Sequence, residues 1–483
     1  MKTRSFDQKG VCLLTIVLFF FPPISQAQLI SVKSVPVAAA EQFMLVPSQN
    51  LGMGGVSIAL EDPSSDPFVN PAKGARIQGV YLFSAPVFSN ITENNGGVRT
   101  LPLGALLGAA KWFGGMTLAI QQSRWNASSA LSDKNSNNLY AAGLIGTKIP
   151  SAGIAIAASI HWAGLEAMQG VDFLYGRSSR IDQYGHIVDY RIGLLREKTN
   201  RPSFEILLLH NRVHMTHEVY YRGWFWEGDF LTREYGTEGV RNLDATNTWG
   251  LHVGSMMPLG RDSSRVGLIF TVNHKSHPKI PNYELMNIPR DPGNSWAFNI
   301  GTGVSHAKAA GILAMDIVFE PIWSHTWADA AAPVTTERGV IIPAGGKTVE
   351  NHFRFSNWMV RLGLSQQDRT FGFQLGLQAR FFKYRFEQKN FVADTRRAQK
   401  EVWGEWTPSI GLSLNYPSFQ IRYTGCLTAG TGRPGVESDF GRWPGVLRAG
   451  FDASENFIVA PSGSLTLQET IVLTHQISVA VAL

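Results

Sequence analysis

Charge is the first thing this sequence lacks. Asp, Glu, Lys and Arg make up 17% of its 483 residues, below the usual quarter of a soluble protein. The formal excess of +6 contains no Lys/Arg run, which excludes the basic footprint of a nucleic-acid binder. Cysteine is nearly missing as well. Of Cys12 and Cys426 the first lies in an N-terminal leader, so the mature chain keeps one thiol and no internal disulfide can form. Long hydrophobic runs are absent beyond that leader, and with them any helix of the ~20 apolar residues needed to cross a bilayer. What remains is 48 glycines, 11% aromatics and 44% hydrophobic residues at a mean hydropathy of −0.04. Those values exclude a helical membrane bundle and permit a β-barrel, in which only alternate strand residues meet lipid.

The leader is a secretory signal. Lys2, Arg4 and Lys9 form a positive start, Val11 to Phe21 an apolar core, and Pro22-Pro23 its end. Ser25-Gln26-Ala27 supplies small residues where a signal peptidase cuts, so residues 1–27 are expected to be removed near Ala27.

The mature chain alternates with period two. From Phe371 to Phe381 the odd positions are Phe371, Phe373, Leu375, Leu377, Ala379 and Phe381, and the even ones Gly372, Gln374, Gly376, Gln378 and Arg380. Gly153–Trp162, Ser409–Tyr416 and Ile471–Leu483 repeat the pattern. Successive strand side chains point to opposite faces, so each segment has one apolar face and one polar or small face. Segments of about ten residues match a tilted strand spanning a bilayer. Trp162, Trp249, Trp358 and Tyr416 close apolar stripes, as at an interfacial aromatic belt. A large soluble β-protein would also alternate, but its polar face would carry Lys and Glu rather than Gly, Ala, Ser, Gln and Arg. The expected fold is all-β, a closed transmembrane antiparallel barrel of the bacterial outer membrane, since an open edge would leave bare amides in lipid.

Residues 28–75 precede the first strand, and 76–483 form the barrel. Three stretches read as long extracellular loops: 163–245, charged and aromatic; 324–349; and 430–443, rich in Gly and Pro. Within the first, Tyr220, Tyr221, Trp224, Phe225 and Trp226 form a candidate surface-binding cluster, weighed against a plain outer girdle.

Residues 50–75 read NLGMGGVSIALEDPSSDPFVNPAKGA. Gly52, Gly54 and Gly55, the acidic turn at Glu61-Asp62, and Asn70-Pro71-Ala72 together resemble the N-terminal signature of the FadL/PorV superfamily of outer-membrane barrels. The detailed match covers about 26 residues; beyond it the likeness is one of architecture. The resemblance implies about 14 strands, with residues 28–75 folded into the lumen as a hatch. Gly52, Gly54 and Gly55 would let backbone approach the wall. Asp62 would accept amides at a turn, and Asn70 and Pro71 would shape the entry to the barrel. These are structural roles. The terminal Leu483, where an aromatic residue is usual, departs from the pattern read by the barrel-assembly machinery.

No enzyme chemistry emerges. His210, His214 and His217 have metal-ligand spacing, but a strand puts His217 on the opposite face, and no metal or other cofactor is expected. Gly430–Gly435 mimics a dinucleotide motif without a helix to follow, and Gly345-Gly346-Lys347-Thr348 lacks the first glycine of a phosphate loop. Cys426 shares the lumen parity and reads as packing. Gln374, Gln378 and Arg380 are candidate lumen or ligand contacts, Arg380 for a carboxylate. The FadL resemblance implies transport of hydrophobic molecules such as long-chain fatty acids. The alternative, from PorV, is a barrel that binds secreted proteins in type IX secretion. The expected partners are outer-membrane lipid, the barrel-assembly machinery, and either hydrophobic small molecules or secreted proteins, with no nucleic acid.

Overall fold

Alternation sorts the side chains into an apolar outside and a polar inside, the reverse of a soluble protein. In the computed structural model Leu103, Ile120, Ile145, Ile192 and Leu313 each expose more than half of their surface outward, while Gln121, Asn138, Asn357 and Arg361 are buried within. Such a surface would aggregate in water and is stable in hydrocarbon. The structure describes residues 29–483 apart from 31, 35, 94, 126–133, 170–179, 199–200, 228–231, 261–262, 277–293, 331 and 435–466, and not the side chains of 125, 134, 221–227, 232–238, 240, 242, 433–434 and 467–468. The leader therefore lies outside the described residues.

The strands are β1 (Gly79–Ser84), β2 (Val87–Ile91), β3 (Gly97–Gly108), β4 (Trp112–Trp125), β5 (Lys134–Ile149), β6 (Ile154–Leu165), β7 (Arg180–Arg196), β8 (Ser203–Glu227), β9 (Thr232–Leu259) and β10 (Ser264–Ser276). There follow β11 (Ser295–Lys308), β12 (Gly311–Asp329), the small hairpin β13 (Val334–Thr335) and β14 (Ile341–Ile342), β15 (Lys347–Gln367), β16 (Phe371–Asn390), β17 (Thr395–Asn415), β18 (Phe419–Pro434) and β19 (Leu467–Ala482). Neighbours in sequence pair antiparallel, and β1 and β2 both pair with β3 on one side and β19 on the other. These two short strands share one place in the wall, interrupted at Ala85-Pro86, so 17 segments close a ring of sixteen positions.

Sixteen corrects the expected 14. The difference lies where the sequence reads as loop. The stretch 163–245 holds β7, β8 and the outer part of β9, and these strands run longer than an apolar band of lipid-facing residues requires. Outside hydrocarbon a strand no longer needs an apolar face, so its alternation fades and its charge rises. With 25 and 28 residues, β8 and β9 climb roughly 60–70 Å at a tilt near 40°, against an apolar band of about 25 Å. The expected loop at 324–349 shrinks to 330–346, because β12 and β15 extend into it. Of 430–443, β18 takes up to Pro434 and the remainder lies outside the described residues. Connections at the end near Gly79 and Ala482 run from two to six residues, as periplasmic turns do, and the long ones lie at the other end.

Candidate functional site

Among the described residues, the lumen is where the fold gathers polar groups against a second piece of chain. Residues 29–78 run through it from the outer half to the periplasmic end, and the strands hold them by side chains that alternation turns inward.

At the periplasmic end Asn70 caps the 3-10 helix Pro71–Arg76: its Oδ1 accepts the Ala72 amide at 3.2 Å and its Nδ2 donates to Glu205 at 2.7 Å. Pro71 opens that helix, where its missing N–H costs nothing. Lys73 pairs with Glu205 at 3.0 Å, and Arg76 with Glu197 at 3.0 Å. Arg191 donates to the carbonyls of Phe68 and Val69. Asp62 is buried and accepts from Ser48 Oγ and from the amides of Gln49, Asn50, Ser64 and Ser65. Burial pushes the nearby Asp66 carboxyl up to about 6, against the pull of Lys73.

Halfway up, backbone meets backbone. A Cβ on Gly52 would stand 2.8 Å from the Gly411 Cα, and one on Gly376 only 1.9 Å from the Gly54 amide nitrogen. Gly54 also sits at φ +70°, in the left-handed region, and donates to Ser409. Gly55 shares that conformation and leads to the tightest pin. Arg361 and Asp316 pair at 3.1 Å with 2% and 1% of their side chains exposed. Arg361 donates to the Gly55 carbonyl at 2.6 Å and to Ser57 Oγ at 2.8 Å, and Asp316 accepts the Ser57 amide at 2.7 Å. Gln374 and Arg422 both donate to the Gln49 carbonyl. Gln378 lies opposite Arg361 in register, and its Oε1 would be 3.6 Å from a Cβ on Gly55. Gln374 and Gln378 thus meet the N-terminal segment itself.

Nearer the outer end the lumen turns apolar. Phe353 and Phe355 of β15, Phe382, Tyr384 and Phe386 of β16, and Trp403 of β17 form one continuous patch. Phe353–Phe386 and Phe382–Trp403 are stacked, with centroids 4.6 and 4.7 Å apart. Ile322 and Ala297 extend it, and Ile30 and Val32 of the N-terminal segment lie on it. Lys33 pairs with Glu405 and stands over Phe382. Arg380 reaches Glu405 at 3.9 Å and is within electrostatic range of Glu320 and Glu41. Trp403 Nε1 and Arg380 Nε are buried there without a hydrogen-bond partner among the described residues. Sequence reasoning singled out Arg380 but missed the six aromatics. Their even and odd parities place them inside, yet a strand read alone does not say which face is lipid.

The other candidates lie elsewhere. Tyr220 bonds Glu218 and stacks under Arg180 at the outer end of β8; the side chains of Tyr221, Trp224, Phe225 and Trp226 lie outside the described residues. His210 stacks on Trp249 and His214 on His186, while His217 is buried on the opposite face. Cys426 faces the lumen between Ser409 and Thr474. His325, Glu350 and His352 bring ligand atoms within 4.8 Å of one another. The two imidazoles are stacked at an interplanar angle of 3°, so their lone pairs do not converge, and Lys347 also holds Glu350.

No family model matches the sequence, and no curated protein matches it. Solved structures with a similar fold include a Pseudomonas aeruginosa FadL homologue (TM-score 0.44, 10% identity, 92% of this chain and 98% of that one). The CymD monoaromatic hydrocarbon channel gives a TM-score of 0.40 at 9% identity, covering 91% of this chain and 97% of that one. CdiB from Acinetobacter baumannii gives 0.38 at 8% identity over 83% of this chain, which spans only 60% of that protein. These are likenesses of fold alone.

Proposed function

We propose that this chain carries a hydrophobic molecule across the outer membrane, with residues 28–75 as the hatch, and that it acts by binding and passage rather than catalysis. The observation that carries this reading is the six-ring aromatic patch inside a polar lumen, covered by Ile30 and Val32. A barrel for polar solutes has no use for such a surface. A hydrophobic molecule seated there gains about 25 cal/mol per Å² of its own apolar surface that leaves water, offset by whatever burial Ile30 and Val32 lose. Charge narrows the cargo. Arg380 and Lys33 both already have Glu405 as a carboxylate partner, which competes with a cargo carboxylate for them. An uncharged aromatic or aliphatic molecule therefore fits better than a fatty-acid anion.

The test is binding to the purified full-length mature protein in nanodiscs, with radiolabelled naphthalene and palmitate as probes. Phe353→Ala combined with Phe386→Ala should weaken naphthalene binding at least tenfold, since each ring contributes on the order of 1–3 kcal/mol. Unchanged binding would refute the patch as the site.

A second reading, the PorV-like binding of secreted proteins, has its own support. The ring of sixteen positions is paired throughout, its two-residue interruption at Ala85-Pro86 is bridged by the Ile477 amide, and the β8–β9 hairpin reaches well beyond the membrane. A pull-down from detergent-solubilised outer membranes separates the two: a co-purified hydrophobic small molecule supports transport, and a co-purified secreted protein supports the alternative.

A further inference from the structure

On β15, β16 and β17 the outer face changes character at a definite height. Trp358, Phe381 and Trp406 stand nine, ten and nine residues from the periplasmic strand ends at Gln367, Phe371 and Asn415. At roughly 2.5 Å of height per tilted residue, this is about the 25 Å of the apolar band. Below them Leu364, Leu375, Ile410 and Leu412 are exposed to hydrocarbon. Above them, with the exposed Val402 intervening on β17, the same faces carry Arg354, Lys383, Arg385, Lys389, Arg396 and Lys400.

Several of these cations are direct cross-strand partners. Arg354 lies opposite Arg385, Arg385 opposite Lys400, and Lys389 opposite Arg396. Like charges facing each other on a sheet repel, and nothing in the wall requires them there. Two carboxylates share the patch. Glu387 pairs with Arg385 at 2.8 Å, both more than half exposed, and Glu350 is already held by Lys347 and His325. Among the described residues no carboxylate pairs with Arg354, Lys383, Lys389, Arg396 or Lys400.

The cross-strand line through Arg354 shows that the change follows depth. Traced the other way, its successive partners are Trp323, Trp296, His274, Trp249 and His210. Because the strands tilt, the line climbs. Trp249 is ten residues from its periplasmic end at Leu259, Trp296 twelve from Lys308, Arg354 thirteen from Gln367 and Lys400 fifteen from Asn415. Along this line the residues are aromatic up to twelve residues from the periplasmic end, at Trp296 and Trp323, and basic from thirteen upward.

We infer that this face of β15–β17 binds the phosphate-bearing headgroup of an outer-leaflet lipid, whose acyl chains lie along the apolar residues beneath. Charge complementarity selects an anion, and the adjoining hydrocarbon-facing surface selects a lipid over a soluble partner. The basic area spans two strand spacings, about 10 Å, by roughly 20 Å along β16, more than one phosphate fills. The occupant is therefore a multiply phosphorylated lipid.

The test uses the full-length mature barrel in phosphatidylcholine nanodiscs, titrated with bis-phosphorylated lipid A and read by native mass spectrometry. Each basic side chain near a charged lipid surface is worth roughly a fivefold change in binding, so Arg354→Gln, Arg385→Gln and Lys400→Gln together should weaken lipid A binding on the order of a hundredfold. The charge-keeping Arg354→Lys with Arg385→Lys should retain most of it, and Arg212→Gln on the outer face of β8 should leave it unchanged. Both multiple variants should keep the heat-modifiable migration of a folded barrel, and binding should fall as salt rises. Equal lipid A affinity in the triple Gln variant would overturn the inference. So would equal affinity for phosphatidylglycerol, or loss of the lipid to inorganic phosphate at matched concentration.

Discussion

Replacing Arg361 with Met tests how the N-terminal segment is held. Arg361 gives hydrogen bonds to the Gly55 carbonyl and to Ser57 Oγ, and it balances Asp316, in a place where neither side chain sees solvent. Arg361→Met removes all of this and leaves the Asp316 carboxylate with the amides of Ser57 and Ile58 alone. Breaking one partner of such a buried pair costs about 3–5 kcal/mol. The ring of strand hydrogen bonds is untouched, so the cost falls on the segment's docking and not on the wall. Converted at 1.4 kcal/mol per tenfold, the segment's undocked population rises by roughly two to three and a half orders of magnitude. Hydrogen exchange at residues 55–58 reads this directly, and planar-bilayer recordings should show brief openings that the wild type lacks. Adding Asp316→Asn should restore part of the protection, because the amide is neutral and its Oδ1 still accepts from the segment's amides. The reasoning is refuted if exchange at 55–58 is unchanged in the single variant, or if the double variant exchanges faster than the single.

Two further outcomes follow from the same lumen. Gly376→Ala drives a methyl group against the Gly54 amide nitrogen and the Met53 carbonyl carbon, 1.9 and 2.3 Å away. It should therefore undock the segment at a cost of about 1–3 kcal/mol, seen as faster proteolysis of residues 50–60 with the barrel intact. Asp66 has a folded value raised to about 6 from 3.8, so folding favours its protonated form. Its contribution is complete below about pH 4 and is lost as pH rises through about 6, by up to about 3 kcal/mol. Asp66→Asn should remove this fall, leaving a flatter stability profile between about pH 4 and 6 in detergent. A variant profile parallel to the wild type would count against the burial argument.

The sequence alone determined the class of fold, because period-two alternation in hydrocarbon is a local property: each of Phe371, Phe373, Leu375 and Leu377 declares its face within a few residues. Gly52, Gly54, Asp62, Asn70 and Pro71 are legible in it only as residue types suited to turns and close backbone approach. Tertiary structure decided what depends on closure. Whether β7, β8 and β9 are loop or strand is settled by pairing above the membrane, where no apolar face is needed and the pattern fades. The Arg361–Asp316 pin joins residues 45 apart to a segment some 300 residues earlier, and the aromatic patch needs three strands curved round one axis. The cations of β15–β17 meet only through register and gain their meaning from height, and neither quantity exists until the tilted sheet closes on itself.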